Sequence, residues 1–596
     1  SFISAKKLQR WRENQLLKCL SLLIDLGKGV MDDANIESAL YTIRPDANCS
    51  PVIFAFDGRY HDRALPAIRS SDELISSGKA LLSSRQFLRS LPGSKLLYFA
   101  SGRLAEILVH RVCFEPTVGT VRKGLTTFDD FRFLRVRWEI PPSCTSRGKT
   151  WELFAKGGEY SNYYIDVHLV VNRRNSGEEL AEKNFQVNGQ TAQSRQGETY
   201  YYKAGSQYTG RSQAGFSARA IPANCVMSSN APMILSQSAV PPLYLLGWVN
   251  SRLIRSLIEM QAMVNDFVPG LLKNLPWLDA SKATEENIAK RTLELVETHR
   301  RFSAVDECDP NFIVWNEASR NARLSERFSD FQADLMEAVS RVAECQSFIS
   351  CEIDRIYDFD SGELSLEALG KDVVRDVRLA RLTLKDIAEN EASYALGCVF
   401  GRWDIRYATG ERPAPELPDP FAPLPVCSPG MLQGDDDLPL STVEGRRLRS
   451  EGRYPLDNAW DGILVDDPEH PLDMERRVHD ALAVIWGDQA DAIQQEACEL
   501  LGVPTLRDWF RRPAGFFADH LKRYSKSRRQ APIYWPLSSP GGRYAVWLYY
   551  HRLSKDSLYR ALEQVQEKLN YEDRKLSRLT ADGGGNPAAS MTSASR

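Results

Sequence analysis

Short β-rich runs separated by turn residues fill positions 123–246, and this pattern constrains the fold more than any other part of the chain. Residues 164–171 form one such run, and Gly-, Asn- and Ser-rich turns separate it from the next. Many of these turns carry Lys or Arg beside Tyr, Phe or Trp. A sheet with cations and flat rings on its loops suits a polyanion with stackable bases. An ordinary β domain with solvated loops is the alternative, and the pattern leaves both open.

The first 60 residues combine a helical pattern with three near-continuous apolar runs, at 5–17 and at 20–27, 39–43 and 52–56. Such runs are typical of strands buried on both faces, as in α/β domains. One helix and three strands make half of such a domain, so we expect the other half to precede Ser1. A half sheet would expose a strand edge and apolar side chains. Residues 72–110 follow with a mostly helical pattern.

Apolar residues at helical spacing predict helices at 243–260 and 324–353, and a further helix that begins at Ser281. Between 411 and 440 the chain carries many prolines and then three consecutive aspartates at 435–437. Proline supports neither a helix nor a strand ladder, so this segment predicts a linker or a draped loop. The small, polar tail predicts disorder.

Basic and aromatic residues are interleaved near the C-terminus. The basic residues are Arg507, Arg511, Arg512, Lys522, Arg523, Lys526, Arg528 and Arg529, and the aromatic ones are Trp509, Phe510, Phe516, Tyr524, Tyr534 and Trp535. In a chain with a net charge of -3, this cluster is a local electrostatic feature that suits phosphate binding. Helix packing, with arginine stems covering aromatic rings, explains it equally well.

Several function classes are disfavoured by the sequence. The 11 cysteines include no Cys-x-x-Cys pair, which fits a reducing cytoplasm and argues against a zinc knuckle or disulfide framework. No His-Glu-x-x-His motif and no phosphate-binding Gly-x-x-x-x-Gly-Lys-Ser/Thr loop occur, so we expect neither a metal site nor a nucleotide triphosphatase. No apolar run approaches the roughly 18 residues of a membrane span, and no secretory signal is visible.

Four segments together resemble a known family. They are residues 23–39, with Leu-Ile-Asp-Leu-Gly at the start; 124–134 with 156–160, Lys-Gly-Gly-Glu-Tyr; 393–402, Ser-Tyr-Ala-Leu-Gly-Cys-Val-Phe-Gly-Arg; and 510–552, which opens Phe-Arg-Arg-Pro-Ala-Gly-Phe-Phe. The chain resembles the later part of the adenine-specific DNA methyltransferases of the BREX phage-defence system. It is more distantly similar to the fused type IIG restriction-modification methylases.

The resemblance implies transfer of a methyl group from S-adenosylmethionine to the exocyclic amine of adenine in double-stranded DNA. Members of the family hold the flipped base with an Asn-Pro-Pro-aromatic loop. That loop is absent here, because Asn586-Pro587-Ala588 lacks the second proline and the ring, and the Gly-rich cofactor motif is absent as well. We therefore expect both to lie upstream, and we expect the chain alone to be inactive.

The fold class expected from the resemblance is α/β, with a partial Rossmann-like methyltransferase sheet, a β-rich target-recognition domain and helical C-terminal domains. The expected layout begins with the end of the methyltransferase domain and a bridge (1–115), followed by the recognition domain (116–255) and a helical connector (256–408). A Pro/Asp-rich linker (409–455), a basic helical domain (456–575) and a disordered tail (576–596) complete it.

Double-stranded DNA is the expected partner, together with other proteins of the defence system. The residues expected to contact DNA are Lys156, Tyr208, Arg211 and Arg219 in the recognition region and Lys526, Arg528 and Arg529 near the C-terminus. Arginine in such loops reads guanine through two hydrogen bonds, whereas lysine more often neutralises phosphate. The alternative function is a non-catalytic DNA-binding or scaffold subunit of a defence complex.

Overall fold

The computed structural model describes residues 6–27, 38–44, 50–57, 80–98, 100, 102–237, 240–262, 266–315, 323–360, 379 and 381–582. Residues 28–37 of the first resemblance segment and 583–596 of the expected tail lie outside these ranges. Within them, the chain is a mixed α/β protein with several small sheets and many helices. This coarse prediction of the fold class is confirmed.

The strands are β1 (Leu20–Gly27), β2 (Ser38–Ile43), β3 (Val52–Asp57), β4 (Ala80–Ser84), β5 (Gly119–Arg122), β6 (Leu134–Val136), β7 (Trp151–Ala155), β8 (Leu169–Asn172), β9 (Gly205–Tyr208), β10 (Ala218–Ile221), β11 (Val226–Met227), β12 (Met233–Ser236), β13 (Ile463–Val465), β14 (Ser525–Lys526), β15 (Arg529–Gln530), β16 (Tyr534–Ser538) and β17 (Ala545–Tyr549). The helices of eight residues or more in the described part are α1 (Arg174–Asn188), α2 (Pro242–Asn250), α3 (Arg252–Gln261), α4 (Lys282–Ser303), α5 (Leu324–Ile356), α6 (Leu384–Val399), α7 (Thr442–Ser450), α8 (Met474–Trp486), α9 (Ala490–Leu501), α10 (Phe516–Arg523) and α11 (Ser557–Asp582).

The first sheet has the strand order β2-β1-β3-β4. Its three predicted strands are present, but only β1 and β3 run parallel; the other pairs are antiparallel. One parallel pair does not confirm a Rossmann-like sheet. The prediction of burial on both faces is wrong, because Leu40, Ile43 and Leu82 are about half exposed or more while Leu23 and Ile53 are buried. β4 also lies inside the stretch predicted to be mostly helical.

Two sheets occupy the β-rich stretch, with strand orders β10-β9-β12-β5 and β11-β7-β8-β6. The first packs with α2 to α5 in one hydrophobic core, and the second packs with α6, α8, α9 and the C-terminal strands in another. The stretch at 116–255 therefore contributes to two cores. Within the predicted run at 164–171, only residues 169–171 are in a strand, because the chain before Leu169 is irregular.

Helices form where the sequence carries apolar periodicity and a capping residue. The Ser281 hydroxyl accepts a hydrogen bond from the Thr284 backbone N–H at 3.1 Å, which confirms the predicted start of α4. The predicted periodicity at 324–353 corresponds to α5, whose buried face includes Val342 and Ile349. The predicted helix at 243–260 is present as α2 and α3, which are separated by a break at Ser251.

The C-terminal part contains the three-stranded sheet β13-β17-β16 and the two-stranded hairpin β14-β15. The segment predicted as a linker is largely irregular apart from α7, yet Cys427, Leu432 and Leu440 are buried in it. α11 continues to Asp582, so the first residues of the expected disordered tail are helical.

Candidate nucleic-acid interface

A short helical turn, Asp130–Phe133, follows an Asp129 cap whose carboxylate accepts a hydrogen bond from the Arg132 backbone N–H at 3.1 Å. This turn leads directly into β6. The Phe131 side chain is 80% exposed, whereas Phe133 in the same turn is buried. An exposed ring is available to stack on a base or to cover apolar surface.

The hairpin β14-β15 is closed by a two-residue turn of Ser527 and Arg528, both with positive φ (+52° and +64°). Positive φ at both central positions is the geometry that matches the twist of a two-residue hairpin. As a result the Arg528 side chain lies at the exposed tip of the hairpin.

Contacts between residues about 400 positions apart hold this hairpin against the helical turn. The Arg529 Nη2 donates hydrogen bonds to the backbone carbonyls of Asp130 and Phe131, at 3.0 and 2.7 Å. Its guanidinium also lies 5.2 Å from the centre of the Phe131 ring. The Lys156 ammonium pairs with the Asp130 carboxylate. The fold thus brings Lys156 and Arg529 together at Asp130, with Arg528 beside Arg529 in the hairpin turn.

We define the cationic edge as Phe131, Arg132, Arg135, Lys156, Arg528 and Arg529. Arg132 pairs with Glu179, and the Arg135 Nη1 donates to the Phe131 carbonyl at 2.8 Å. Burial would raise the pKa of Asp130, but the Lys156 ammonium and the Thr127 hydroxyl outweigh it and hold that pKa below its usual value. Of these cations, Arg529 lies beside the exposed Phe131 ring, and the edge as a whole carries a surplus of positive charge, which suits a polyanion.

Lys526 is not part of the exposed edge. Its ammonium lies 2.8 Å from the Asp166 carboxylate and 3.0 Å from the Asp306 carboxylate, and it is largely buried between them. The two carboxylates neutralise the ammonium charge, and the side chain is only 21% exposed, so little attraction for a phosphate remains. We revise the prediction that it contacts DNA on that ground and assign it a structural role.

Tyr208 and Arg219 are both fully buried. The Tyr208 ring packs on Phe216, with the ring centres 5.2 Å apart. Arg219 lies in β10, and burial lowers its pKa to about 10. Neither side chain is accessible to a duplex in this conformation, so we revise the prediction for these two residues as well. Arg211 is 79% exposed, with Asp266 at 3.8 Å, and it stays a predicted DNA contact on a different loop.

Most of the C-terminal basic-aromatic cluster is structural. Arg507 pairs with Asp466 and Asp473, and Arg511 pairs with Asp466 as well. The rings of Trp509, Phe510 and Phe516 are buried. Of the two explanations that the sequence left open, packing accounts for these residues. Lys522, Arg512 and Arg528 are exposed and remain available to a ligand.

Sequence reasoning missed Phe131, Arg132 and Arg135 as members of the interface. The signal was present in the run Asp-Phe-Arg-Phe-Leu-Arg at 130–135, which alternates rings with cations. The sequence predicts this run as the opening of a recognition domain, and exposure of a single ring depends on tertiary packing that the run does not show.

Two further features concern metals and membranes. In the described ranges, no group of three or more His, Cys, Asp or Glu side chains is arranged to hold a metal ion. Across the same ranges, every helix is too short or too polar to cross a membrane.

Comparison with known proteins identifies relatives of the chain. It is 23% identical over 498 residues to the adenine-specific methyltransferase PglX of Lacticaseibacillus casei (strain Zhang), which covers 78% of this chain and 38% of the relative. It is 24% identical over 513 residues to the adenine-specific methyltransferase BrxX of Escherichia coli O9:H4 (strain HS), with 79% and 38% covered. The chain therefore spans well under half the length of these relatives.

No family model matches the chain. Among solved structures, the type IIL restriction-modification enzyme MmeI in complex with DNA aligns with a TM-score of 0.35 and 10% identity, over 58% of this chain and 43% of its own. So low a score supports no inference about fold or function. The two sequence matches confirm the resemblance predicted from the motifs: this chain is related, over more than three quarters of its length, to the adenine-specific methyltransferases of the PglX and BrxX type.

Proposed function

We propose that the chain supplies the DNA target-recognition and C-terminal part of an S-adenosylmethionine-dependent, adenine-specific DNA methyltransferase of phage defence or restriction-modification. The observation that carries this proposal is the similarity to two proteins named as adenine-specific methyltransferases, over 78% and 79% of the chain. The partners we propose are double-stranded DNA and other proteins of the defence system.

In this proposal the first sheet belongs to the methyltransferase domain, 116–255 is the recognition domain, and 256–408, 409–455 and 456–575 are connector, linker and basic domain. The cationic edge would follow the DNA backbone, because guanidinium and ammonium groups neutralise phosphates without reading sequence. The exposed ring of Phe131 would stack on a base or a sugar. Arg211, on a separate loop, would read base edges.

The residues present do not fit a complete site for the methyl donor. The Asn-Pro-Pro-aromatic loop and the Gly-rich turn are absent from the 596 residues. We therefore propose that this chain does not transfer methyl groups alone.

A non-catalytic DNA-binding or scaffold subunit of a defence complex is the second candidate. Mixing the chain with labelled S-adenosylmethionine and DNA, with and without a protein that carries the Asn-Pro-Pro-aromatic loop, separates the two. Methyl transfer in the mixture supports a recognition part of an enzyme. DNA binding with no transfer in any mixture supports the subunit.

The backbone-contact role of the cationic edge is tested with Arg528→Gln. We expect weaker binding to every duplex and a salt dependence of the affinity that is lower by about one phosphate contact. Arg453→Gln removes the same charge from an exposed position, and should leave both unchanged. Equal DNA affinity and equal salt dependence in the two variants would show that Arg528 does not contact DNA.

The base-reading role of Arg211 has a different signature. Arg211→Ala should reduce the ratio between the affinities for preferred and other sequences, because a bidentate contact to a base contributes about 1–3 kcal/mol of discrimination. Competition binding with two duplexes of equal length measures that ratio. The same loss on both duplexes would reassign Arg211 to a phosphate.

A further inference from the structure

The helix α11 carries a stripe of exposed apolar side chains. We define the leucine stripe as Leu558, Leu562, Val565, Leu569, Leu576 and Leu579, which are between 42% and 70% exposed. More large apolar side chains are exposed on this helix than on any other in the described ranges. Contiguous apolar surface of this kind is typical of an interaction site.

A different face of α11 attaches the helix to the rest of the chain. Ala561 is buried in a small core with residues of β13 and β17, and it is the only apolar residue of α11 in a core of the described residues. The Lys568 ammonium lies 3.1 Å from the Asp467 carboxylate on the same face. In a helix of 3.6 residues per turn, this face and the leucine stripe are about a quarter turn apart. The attachment therefore leaves the stripe uncovered.

The stripe follows a seven-residue repeat, with alternating spacings of four and three residues from Leu558 to Leu579. This is the repeat of the a and d positions of a coiled coil. Leu562, Leu569 and Leu576 lie at a, and Leu558, Val565, Glu572 and Leu579 lie at d. A helix that packs on a globular core typically shows a broader stripe with a period of 3.6 residues. The leucine stripe is therefore suited to a single partner helix that runs alongside α11.

The second half of α11 projects from the rest of the described chain. Every residue from Leu569 to Thr580 is exposed. The side-chain hydrogen bonds and ion pairs of residues 572–580 join residues of α11 to one another. A helical segment of this length is only marginally stable in water without packing partners. A partner helix on the leucine stripe would supply that packing.

The charges beside the stripe favour a second copy of the same helix in parallel orientation. In a parallel pair, position g faces position e of the next heptad in the other helix. Lys568 at g would then face Asp573 of the second copy, which has the opposite charge. In an antiparallel pair, g positions face each other, so Lys568 and Lys575 would meet lysines of the second copy.

We propose that α11 pairs with α11 of a second copy of this chain as a short, parallel, two-stranded coiled coil. The leucine stripe forms its seam. Glu572 makes the weakest layer, because it faces the same acid of the second copy, although the Lys568 ammonium lies 2.8 Å from it in its own helix. A single polar residue in the seam fixes the register of the two helices and lowers the affinity.

Sedimentation equilibrium of the purified 596-residue chain, over a micromolar concentration series, tests this proposal. We expect the average mass to rise with concentration from the mass of one chain to twice that value. A mass that stays at one chain over the whole series overturns the proposal. Growth beyond two chains overturns the two-stranded arrangement.

Variants place the contact on the leucine stripe. Leu569→Asp should abolish the pairing, because it puts a charge at the centre of the seam. Val443→Asp is the matched control, since Val443 is 79% exposed on α7, and it should pair as the unmodified chain does. Equal pairing in these two variants overturns the proposal.

Two charge variants test the seam and the orientation. Glu572→Leu should tighten the pairing about tenfold, because it replaces the acid in the seam by an apolar residue. Asp573→Lys should weaken the pairing several-fold, because it would face Lys568 of the second copy. Unchanged affinity in Glu572→Leu contradicts the assigned seam, and unchanged affinity in Asp573→Lys contradicts the parallel orientation.

Discussion

Lys526→Met should lower the free energy of unfolding by about 3 kcal/mol. The Lys526 ammonium lies within 3.0 Å of both Asp166 and Asp306, and the Lys526 and Asp166 side chains are 21% and 14% exposed. Removing one partner of a buried ion pair typically costs about 3–5 kcal/mol. We take the lower end because Asp306 is 35% exposed and His168 Nδ1 remains 3.2 Å from Asp166.

The cost of Lys526→Met should depend on pH. Burial would raise the pKa of Asp166, but the Lys526 ammonium and the His168 ring outweigh it and hold that pKa far below its usual value. A carboxylate whose pKa is depressed by folding contributes stability above its unfolded pKa, about 4, and loses it as the pH falls toward the folded pKa. The difference in the free energy of unfolding between the unmodified chain and Lys526→Met should therefore reach its full size at neutral pH and become smaller below about pH 4.

Urea denaturation between pH 3 and 7 measures this gap, with Lys522→Met as the matched control. Lys522 is an exposed lysine of α10, and its replacement should change stability by less than about 0.5 kcal/mol. DNA affinity is measured on the same proteins. If Lys526→Met is as stable as the unmodified chain but binds DNA more weakly than the unmodified chain does, the structural assignment fails and the DNA contact predicted from sequence is restored.

Two further substitutions test packing. Trp138→Phe removes a buried hydrogen bond of 2.9 Å from the indole Nε1 to the Ala531 carbonyl, and should cost about 1–3 kcal/mol in urea denaturation because the carbonyl is left unpaired; an unchanged midpoint would contradict it. Gly445→Ala would place a methyl group 2.1 Å from the Trp460 ring, and should destabilise by about 1–3 kcal/mol. The added methyl group of Gly270→Ala meets no atom within 4 Å, so this variant should be neutral or stabilised by up to about 1 kcal/mol. A Gly445→Ala variant as stable as Gly270→Ala would refute the clash with Trp460.

Features set by local pattern were predicted from the sequence. The apolar runs that became β1, β2 and β3 needed only their composition, and the start of α4 needed only a serine that caps a helix at Ser281. The relationship to adenine-specific methyltransferases also followed from short motifs. The burial of individual side chains was not predictable, because the exposure of β2 depends on contacts with residues that are distant in the sequence.

The role of each charged residue depended on partners distant in sequence. Lys526 and Arg528 are two positions apart and chemically alike, yet one lies between aspartates from elsewhere and the other at an exposed hairpin tip. Arg219 lies on a strand of a sheet whose interior the sequence does not reveal. The basic residues of the sequence therefore predicted Lys156, Arg528 and Arg529 as members of the candidate interface, but they did not predict that Lys526 is largely buried and Arg219 fully buried.

The segment at 411–440 shows the same limit for backbone structure. Its prolines do prevent long helices and strand ladders, as predicted. They do not prevent packing, and Cys427, Leu432 and Leu440 are buried while neighbouring residues line a cavity with Arg402. The composition of the segment correctly predicted its irregular conformation, but it did not predict which surface the segment packs against.

The most direct test of the central claim, that this chain recognises DNA targets, is selection from a random-sequence duplex library over a series of salt concentrations, with sequencing of the bound pool. The account predicts salt-dependent binding and an enriched motif that contains adenine, with enrichment reduced in Arg211→Ala. Binding with no enriched motif at any salt concentration would contradict it.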